Sequence, residues 1–185
     1  MTYYYDVFSS KLGVIGIVWM HAEGAKRYLV RLFLPDKEKR ITTKIKQLFP
    51  QTKRSAWMTL RNRIKKYLRG EASSFYDIKL SVACLSAFQR KVYAYQRRLK
   101  RGKVISYGEL GNRVGMLYAA RAIGSTQRCN PFPLIIPCHK VIRSNSAIGG
   151  FQSGITMKWQ LLELEGIECR KKAGKYFVKK KHIME

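Results

Sequence analysis

Asn130-Pro131-Phe132-Pro133-Leu134-Ile135-Ile136-Pro137-Cys138-His139-Lys140-Val141-Ile142 is the stretch from which the rest of this 185-residue chain can be interpreted. Its three prolines exclude a regular helix, because each fixes its own φ, lacks an amide donor and pushes its predecessor towards an extended conformation. The residues between them are bulky and apolar, so the segment is expected to run extended through the interior. It then delivers one thiol and one imidazole to a fixed place. A thiol is a useful nucleophile only as the thiolate, which needs a nearby base or positive charge. The competing interpretation is a buried structural cysteine whose neighbouring histidine satisfies a core hydrogen bond, and the surroundings must decide between the two.

Those surroundings are strongly basic. Lys and Arg number 37 against 11 Asp and Glu, a formal charge of +26. Such a field attracts polyanions, nucleic acid first among them. Between Ile78 and Leu162 fourteen Lys and Arg face a single acidic residue, Glu109. A surface charged only for solubility would intersperse both signs. No basic amphipathic helix with a broad aromatic face and no lipidation motif occurs there, which argues against a membrane partner. The apolar run 12–20 is too short to span a bilayer and lacks signal-peptide flanks, so a cytoplasmic protein is expected. Cys84, Cys129, Cys138 and Cys169 show no C-x-x-C spacing, so no structural zinc site is expected and the thiols should stay reduced.

The chain divides by texture into residues 1–80, 81–170 and a basic tail, 171–185; the lysine-rich stretch 170–182 is expected to be either a partly ordered strand or a solvated end. In the first part, residues 3–8, 12–20 and 27–34 have strand composition, with turn chemistry at His21-Ala22-Glu23-Gly24 and a stop at Pro35. A helix over 36–49 should follow, with Asp36 near its start and Pro50 at its end. A second helix, capped by Ser55, carries Trp57, Leu60, Ile64 and Leu68 at helical spacing and is closed by Gly70. Its basic opposite face is expected to be solvated. In the second part, Ser86 should cap a helix over 87–99. A short apolar segment, 104–107, leads into a helix to Val114, a turn at Gly115 and a third helix over 117–128, the pattern of a helix-turn-helix.

That third helix is unusual in composition. Tyr118-Ala119-Ala120-Arg121-Ala122-Ile123-Gly124-Ser125 has small side chains around one arginine, whereas a helix reading the major groove needs several long polar residues. A helix of low relief suits the minor groove, where one projecting Arg can enter the place of a displaced nucleotide. Close helix packing would also account for the small residues. Further on, Ile148-Gly149-Gly150-Phe151-Gln152-Ser153-Gly154 is a glycine-rich loop able to present backbone groups to a ligand. A helix over 156–165 ends at Gly166, and its Glu165 either orients His139 or is an exposed terminal carboxylate.

With these pieces in this order, the chain resembles the O6-alkylguanine-DNA alkyltransferase family, most closely over residues 84–166. Ile136-Pro137-Cys138-His139 followed by Val141-Ile142 is close to that family's active-site signature, although Lys140 stands where the family usually has Arg. The resemblance implies an α/β (α+β) fold: a small RNase H-like α/β domain, then a mostly helical domain like a winged helix-turn-helix. It implies that Cys138 accepts the alkyl group, with His139 as base through a water and Glu165 orienting it. Asn130 would brace the turn, and Tyr107 would sit by the flipped guanine and a phosphate. Arg121 would fill the vacated place in the stack, with Ala120, Ser125 and Arg128 also on the DNA face. Ile148, Gly149, Phe151 and Gln152 would line the base pocket, with Lys158 near its mouth. The loop departs from the family's usual Tyr-Ser-Gly-Gly at Phe151, Gln152 and Ser153. No metal or other cofactor is implied, since the zinc ligands of some relatives find no counterpart.

The implied partner is double-stranded DNA containing O6-alkylguanine, bound by a monomer, with O4-alkylated thymine left open as a second substrate. A thiolate displacing the alkyl carbon in one in-line step leaves a thioether, which has no carbonyl for water to attack, so each molecule should react once. One alternative is a non-catalytic damage-binding protein on the same scaffold; relatives of that kind lack the reactive cysteine, which is retained here. A cysteine hydrolase of acyl substrates explains Cys138 and His139 but leaves the charge and the helix pair without a role.

Overall fold

The computed structural model of the chain describes residues 2–22, 26–36 and 38–184. It is a mixed α/β protein of two compact units, one formed by Met1–Cys84 with Pro131–Pro133, the other by Leu85–Asn130 with Leu134–Glu185. Among the described residues no helix is long and apolar enough to cross a membrane.

The first unit is built on strands β1 (Tyr3–Ser10), β2 (Gly13–His21), β3 (Arg27–Asp36) and β4 (Lys53–Arg54), in the order β3-β2-β1-β4. The first three are antiparallel and β4 joins β1 in parallel. Alternation along the strands sends Tyr5, Val7 and Val18 to one face, where Ile41 and Ile45 of helix α1 (Glu38–Leu48) cover them. Gly16 permits this approach, because a Cβ there would lie 2.4 Å from Ile41. The other face holds Asp6 and Phe8, which Arg61 of helix α2 (Met58–Leu68) reaches, and Trp19, whose ring lies 5.8 Å from that of Trp57.

Several boundaries differ from those expected. Pro35 does not end β3, which runs to Asp36; β3 is an edge strand with a register shift there, so a missing amide donor breaks no ladder. Asp36 consequently lies in the strand and pairs with Arg40 and Lys44, each at 3.6 Å, while the helix starts at Glu38. Ser55 caps nothing: its amide bonds to Tyr5 beside β4, and α2 starts three residues later without a side-chain cap. Gly70 does close α2, at φ +86, with Gly70 and Glu71 amides returning to Tyr67 and Lys66. Of the turn expected at residues 21–24, Glu23 and Gly24 lie outside the described residues.

The second unit contains α3 (Ala87–Gln96), β5 (Ile105–Ser106), α4 (Tyr107–Arg113), α5 (Ala120–Arg128), β6 (Val141–Ile142) and α6 (Ile155–Leu164). Ser86 and Gln89 form a reciprocal capping box on α3. That helix stops at Gln96, short of the expected Leu99, and α5 begins at Ala120, later than expected, because Tyr118 adopts φ +57. Of the two outcomes expected for the lysine-rich tail, the strand is the one observed, as a hairpin of β7 (Cys169–Lys172) and β8 (Lys175–Val178). Ala173 and Gly174 both take the positive φ that a two-residue hairpin loop demands. The hairpin is tied down by Ile148 N–H to Tyr176 O (3.0 Å) and Val178 N–H to Ser146 O (2.9 Å).

Candidate active site

The proline segment is buried from Phe132 to Lys140, as its composition predicts, but it is bent rather than extended. Pro131–Pro133 belong to the first unit, and the chain re-enters the second at Leu134, which takes φ +70. Pro137, at φ −78 and ψ 69, is the centre of an inverse γ-turn in which Cys138 N–H donates to Ile136 O at 2.8 Å. Asn130 Nδ2 donates to the same carbonyl at 2.9 Å, so the amide side chain fixes the turn from outside. A single 3-10 turn, Cys138–Lys140, then leads into β6, whose parallel pairing with β5 brings the thiol segment beside the Ser106 cap of α4 and Tyr107.

Around Cys138 the charges are arranged with one sign. Burial pushes its thiol pKa up, opposed by a hydrogen bond from Asn130 and by the Lys158 ammonium. Lys158 is fully buried rather than at a pocket mouth, and its Nζ donates to Val141 O at 2.7 Å. Burial lowers its pKa to about 8, with Cys138 opposing that shift and Arg143 reinforcing it. Tyr107 is half-buried; its phenol is raised by burial and by Cys138, and lowered by Arg143. Gly149 takes φ +73 close to both groups: a Cβ there would lie 3.5 Å from Arg143 and 3.8 Å from the Tyr107 hydroxyl. Arg143 was not among the residues expected from sequence, since a lone arginine after β6 carries no pattern.

Behind the thiol lies a buried polar chain. His139 Nε2 is 2.9 Å from Glu165 Oε1, and Lys140 Nζ is 2.9 Å from Glu165 Oε2. Lys140 also donates to Leu99 O and Lys100 O, at 3.1 and 2.7 Å, which matches its three N–H donors to three acceptors. Burial disfavours the charged forms of His139 and Lys140, with Glu165 opposing in each case. Burial would raise the Glu165 carboxyl, but the hydrogen bond from His139 and the Lys140 cation outweigh it and hold its pKa at about 2. The coherent state is an ionised Glu165 between a lysine cation and the Nε2–H of a neutral imidazole, whose Nδ1 can accept a proton. Glu165 is therefore not an exposed helix end. It is the C-cap of α6, fixed by Gly166 N–H to Glu163 O and Ile167 N–H to Leu162 O, with Ile167 and Leu162 in one apolar cluster.

The other expected residues fall into two groups. Ala120, Arg121, Ala122, Ser125 and Arg128 are all exposed on α5. A Cβ on Gly124 would meet nothing within 4 Å, so small size there is not required by packing, whereas Ala119, just before the helix, does pack closely: a Cβ on Gly111 of α4 would lie 3.4 Å from its Cβ. In the loop, Gln152 is exposed and Phe151 half-buried. Ile148 is buried in the core and its amide is committed to Tyr176, so that N–H cannot line a base pocket. Among the described residues no three His, Cys, Asp or Glu side chains converge to hold a metal ion.

Residues 87–167 match the family description "6-O-methylguanine DNA methyltransferase, DNA binding domain". The chain is 33% identical over 117 residues to the DNA base-flipping protein of Thermus thermophilus, covering 63% of this chain and 78% of that protein. It is 34% identical over 112 residues to the methylated-DNA–protein-cysteine methyltransferase of Metallosphaera sedula, covering 60% and 69%. Among solved structures, Mycobacterium tuberculosis OGT in complex with DNA superposes with a TM-score of 0.71 at 27% identity, covering 88% of this chain and 92% of that one. Sequence and fold thus converge on one lineage, and the chain belongs to the O6-methylguanine-DNA methyltransferase family.

Proposed function

We propose that this protein repairs DNA by moving an alkyl group from O6 of guanine to Sγ of Cys138, once per molecule. The observation that carries the proposal is the buried Cys138, hydrogen-bonded by Asn130, faced by the Lys158 cation and followed directly by the His139–Glu165 pair. In the step itself, the thiol proton passes through a water to His139 Nδ1. The S–C bond then forms as the C–O6 bond breaks, and the leaving guanine takes its proton from the Tyr107 hydroxyl, which the imidazolium re-protonates through water. Glu165 stabilises the imidazolium so formed. No group in the segment can cleave the thioether product.

The damaged nucleotide must leave the stack, at a cost of a few kcal/mol. Arg121 is read as the residue that takes its place, and the low, exposed face of α5 as the minor-groove contact. The α4–Gly115–α5 pair with its basic β7–β8 hairpin supports a winged helix-turn-helix. The antiparallel β1–β2–β3 sheet joined by parallel β4 supports an RNase H-like first unit. The protein is read as a cytoplasmic monomer.

Incubation with an oligonucleotide carrying O6-methylguanine, followed by intact mass and peptide mapping, should show one methyl adduct per chain, on Cys138. Demonstrated binding of that duplex with no adduct would instead support the damage-binding alternative.

A further inference from the structure

The turn joining α4 to α5 is closed by backbone hydrogen bonds and carries an apolar surface that the alkyl-transfer chemistry does not use. Gly115, at φ +71, closes α4, and its N–H and that of Met116 return to Asn112 and Gly111, both at 2.9 Å. A Cβ on Gly111 would lie 2.9 Å from Met116 O, so turn and helix are in direct contact. From this fixed base the chain displays Met116, Leu117 and Tyr118 with 46%, 73% and 101% of their surface exposed. Tyr118 does so at φ +57, a conformation that L residues other than Asn and Asp rarely adopt. Scattered exposed apolar residues are ordinary; three in succession on a fixed, strained turn are not.

The charge around the turn selects the occupant. Lys91 Nζ lies 3.6 Å from where a Gly115 Cβ would be, and exposed Arg121 follows Tyr118 by less than one helical turn. No acidic residue occurs between Glu109 and Glu163. An apolar tip flanked by cations fits a polyanion whose groove exposes sugars and base faces, and apolar side chains on minor-groove proteins wedge base steps apart. We propose that Leu117 and Tyr118 form an apolar wedge that seats on the sugars and base stack of duplex DNA beside the displaced nucleotide. It rests on the DNA-repair reading above and adds a second device to it: Arg121 would fill the vacancy while the wedge holds the neighbouring step open.

The test uses the full chain and the Leu117→Ser/Tyr118→Ser variant. Both side chains are exposed, so the fold should survive. Duplexes carry O6-methylguanine with 2-aminopurine next to it. The double variant should bind about tenfold more weakly, since aromatic–base contacts are commonly worth that much. It should also lose the 2-aminopurine fluorescence rise, whereas Tyr118→Phe should behave as wild type. Reaction with a free O6-alkylated guanine base should be unchanged. Duplex affinity equal to wild type would overturn the wedge. So would a wild-type dimer, seen by sedimentation, that the double variant abolishes with DNA binding intact. The binding arm decides the wedge even if the chain transfers no alkyl group, which the free base reports separately.

Discussion

Arginines on α2 and on α5 meet opposite fates, although both helices show a basic face. On α2, Arg61 donates to Asp6 (Nε to Oδ2, 2.9 Å), and Arg63 holds both oxygens of Asp77 at 2.5 and 2.7 Å. On α5, Arg121 and Arg128 are exposed, and among the described residues no carboxylate lies within ion-pair distance of either. A formal +26 therefore says little about where a polyanion binds. What matters is which cations the fold has left without carboxylates. In the second unit a further set turns inward, Lys158 towards the thiol and Lys140 onto Glu165 behind it. Three uses of positive charge coexist: folding, site electrostatics and partner binding.

The sharpest separation is expected at Arg121. Arg121→Ala should slow repair of a lesion in duplex DNA by about a hundredfold, the scale of an unstacking cost of a few kcal/mol, yet leave reaction with the free base intact. Rapid-quench kinetics on the two substrates measure this, and equal losses on both would erase the distinction between outward and inward cations. The counterpart in the first unit is Asp6→Asn. It strands Arg61, whose side chain is 24% exposed, and should cost about 2 kcal/mol, somewhat below a fully buried pair. Urea denaturation should register that loss, with DNA affinity unaltered. An affinity loss in Asp6→Asn would mean that the first unit's pairs are not merely structural.

Lys158 tests the inward set. Its ammonium persists below about pH 8 and faces Cys138. Lys158→Met should slow alkyl transfer about tenfold on duplex and free base alike, because the field acts on the nucleophile. In the native chain the pH profile should decline above about 8, and the variant should lack that limb. Stability should move the opposite way. The folded pKa is below the usual 10.5, so between about 8 and 10.5 the unfolded chain binds the extra proton and stability rises with pH. A rate that falls while stability climbs distinguishes loss of this one proton from alkaline unfolding.

How much of this was legible before folding depends on whether the signal was local. Ser86 with Gln89, and glycines 70, 115 and 166, marked helix ends correctly because capping needs only adjacent backbone geometry. Cys138-His139 stood out because prolines restrict their neighbours directly. Glu165 could be placed at a helix end, but not pointed: its inward course depends on the Leu162–Ile167 contact, which is tertiary. Lys158 could be placed only near a pocket mouth, by resemblance, because nothing nearby in sequence announces the Val141 carbonyl that receives it. The β7–β8 hairpin was legible only as one partly ordered strand, because lysines at 171, 172 and 175 hide the strand alternation and Ala173 is a poor advertisement for a positive φ. Leu134's reversal is where the chain passes from one unit to the other, which local propensity does not encode.

The smallest expected effect is the most direct comparison. Arg63→Gln and Arg128→Gln each remove one positive charge from the exterior of a helix, so net charge changes equally. If proximity to a polyanion depended on total charge, both would weaken DNA binding alike. Arg63 is already partnered by Asp77, in a pair whose side chains are 34% and 61% exposed; its loss should shift stability by no more than about 0.5 kcal/mol and leave the salt dependence of binding unchanged. Arg128 should behave as a phosphate contact, so that its loss weakens binding about threefold and lowers the slope of log affinity against log salt by about one. Titrations of the two variants at several salt concentrations measure both slopes. Parallel lines for Arg63→Gln and wild type, with a shallower one for Arg128→Gln, follow if carboxylate pairing inside the fold decides which cations DNA can use.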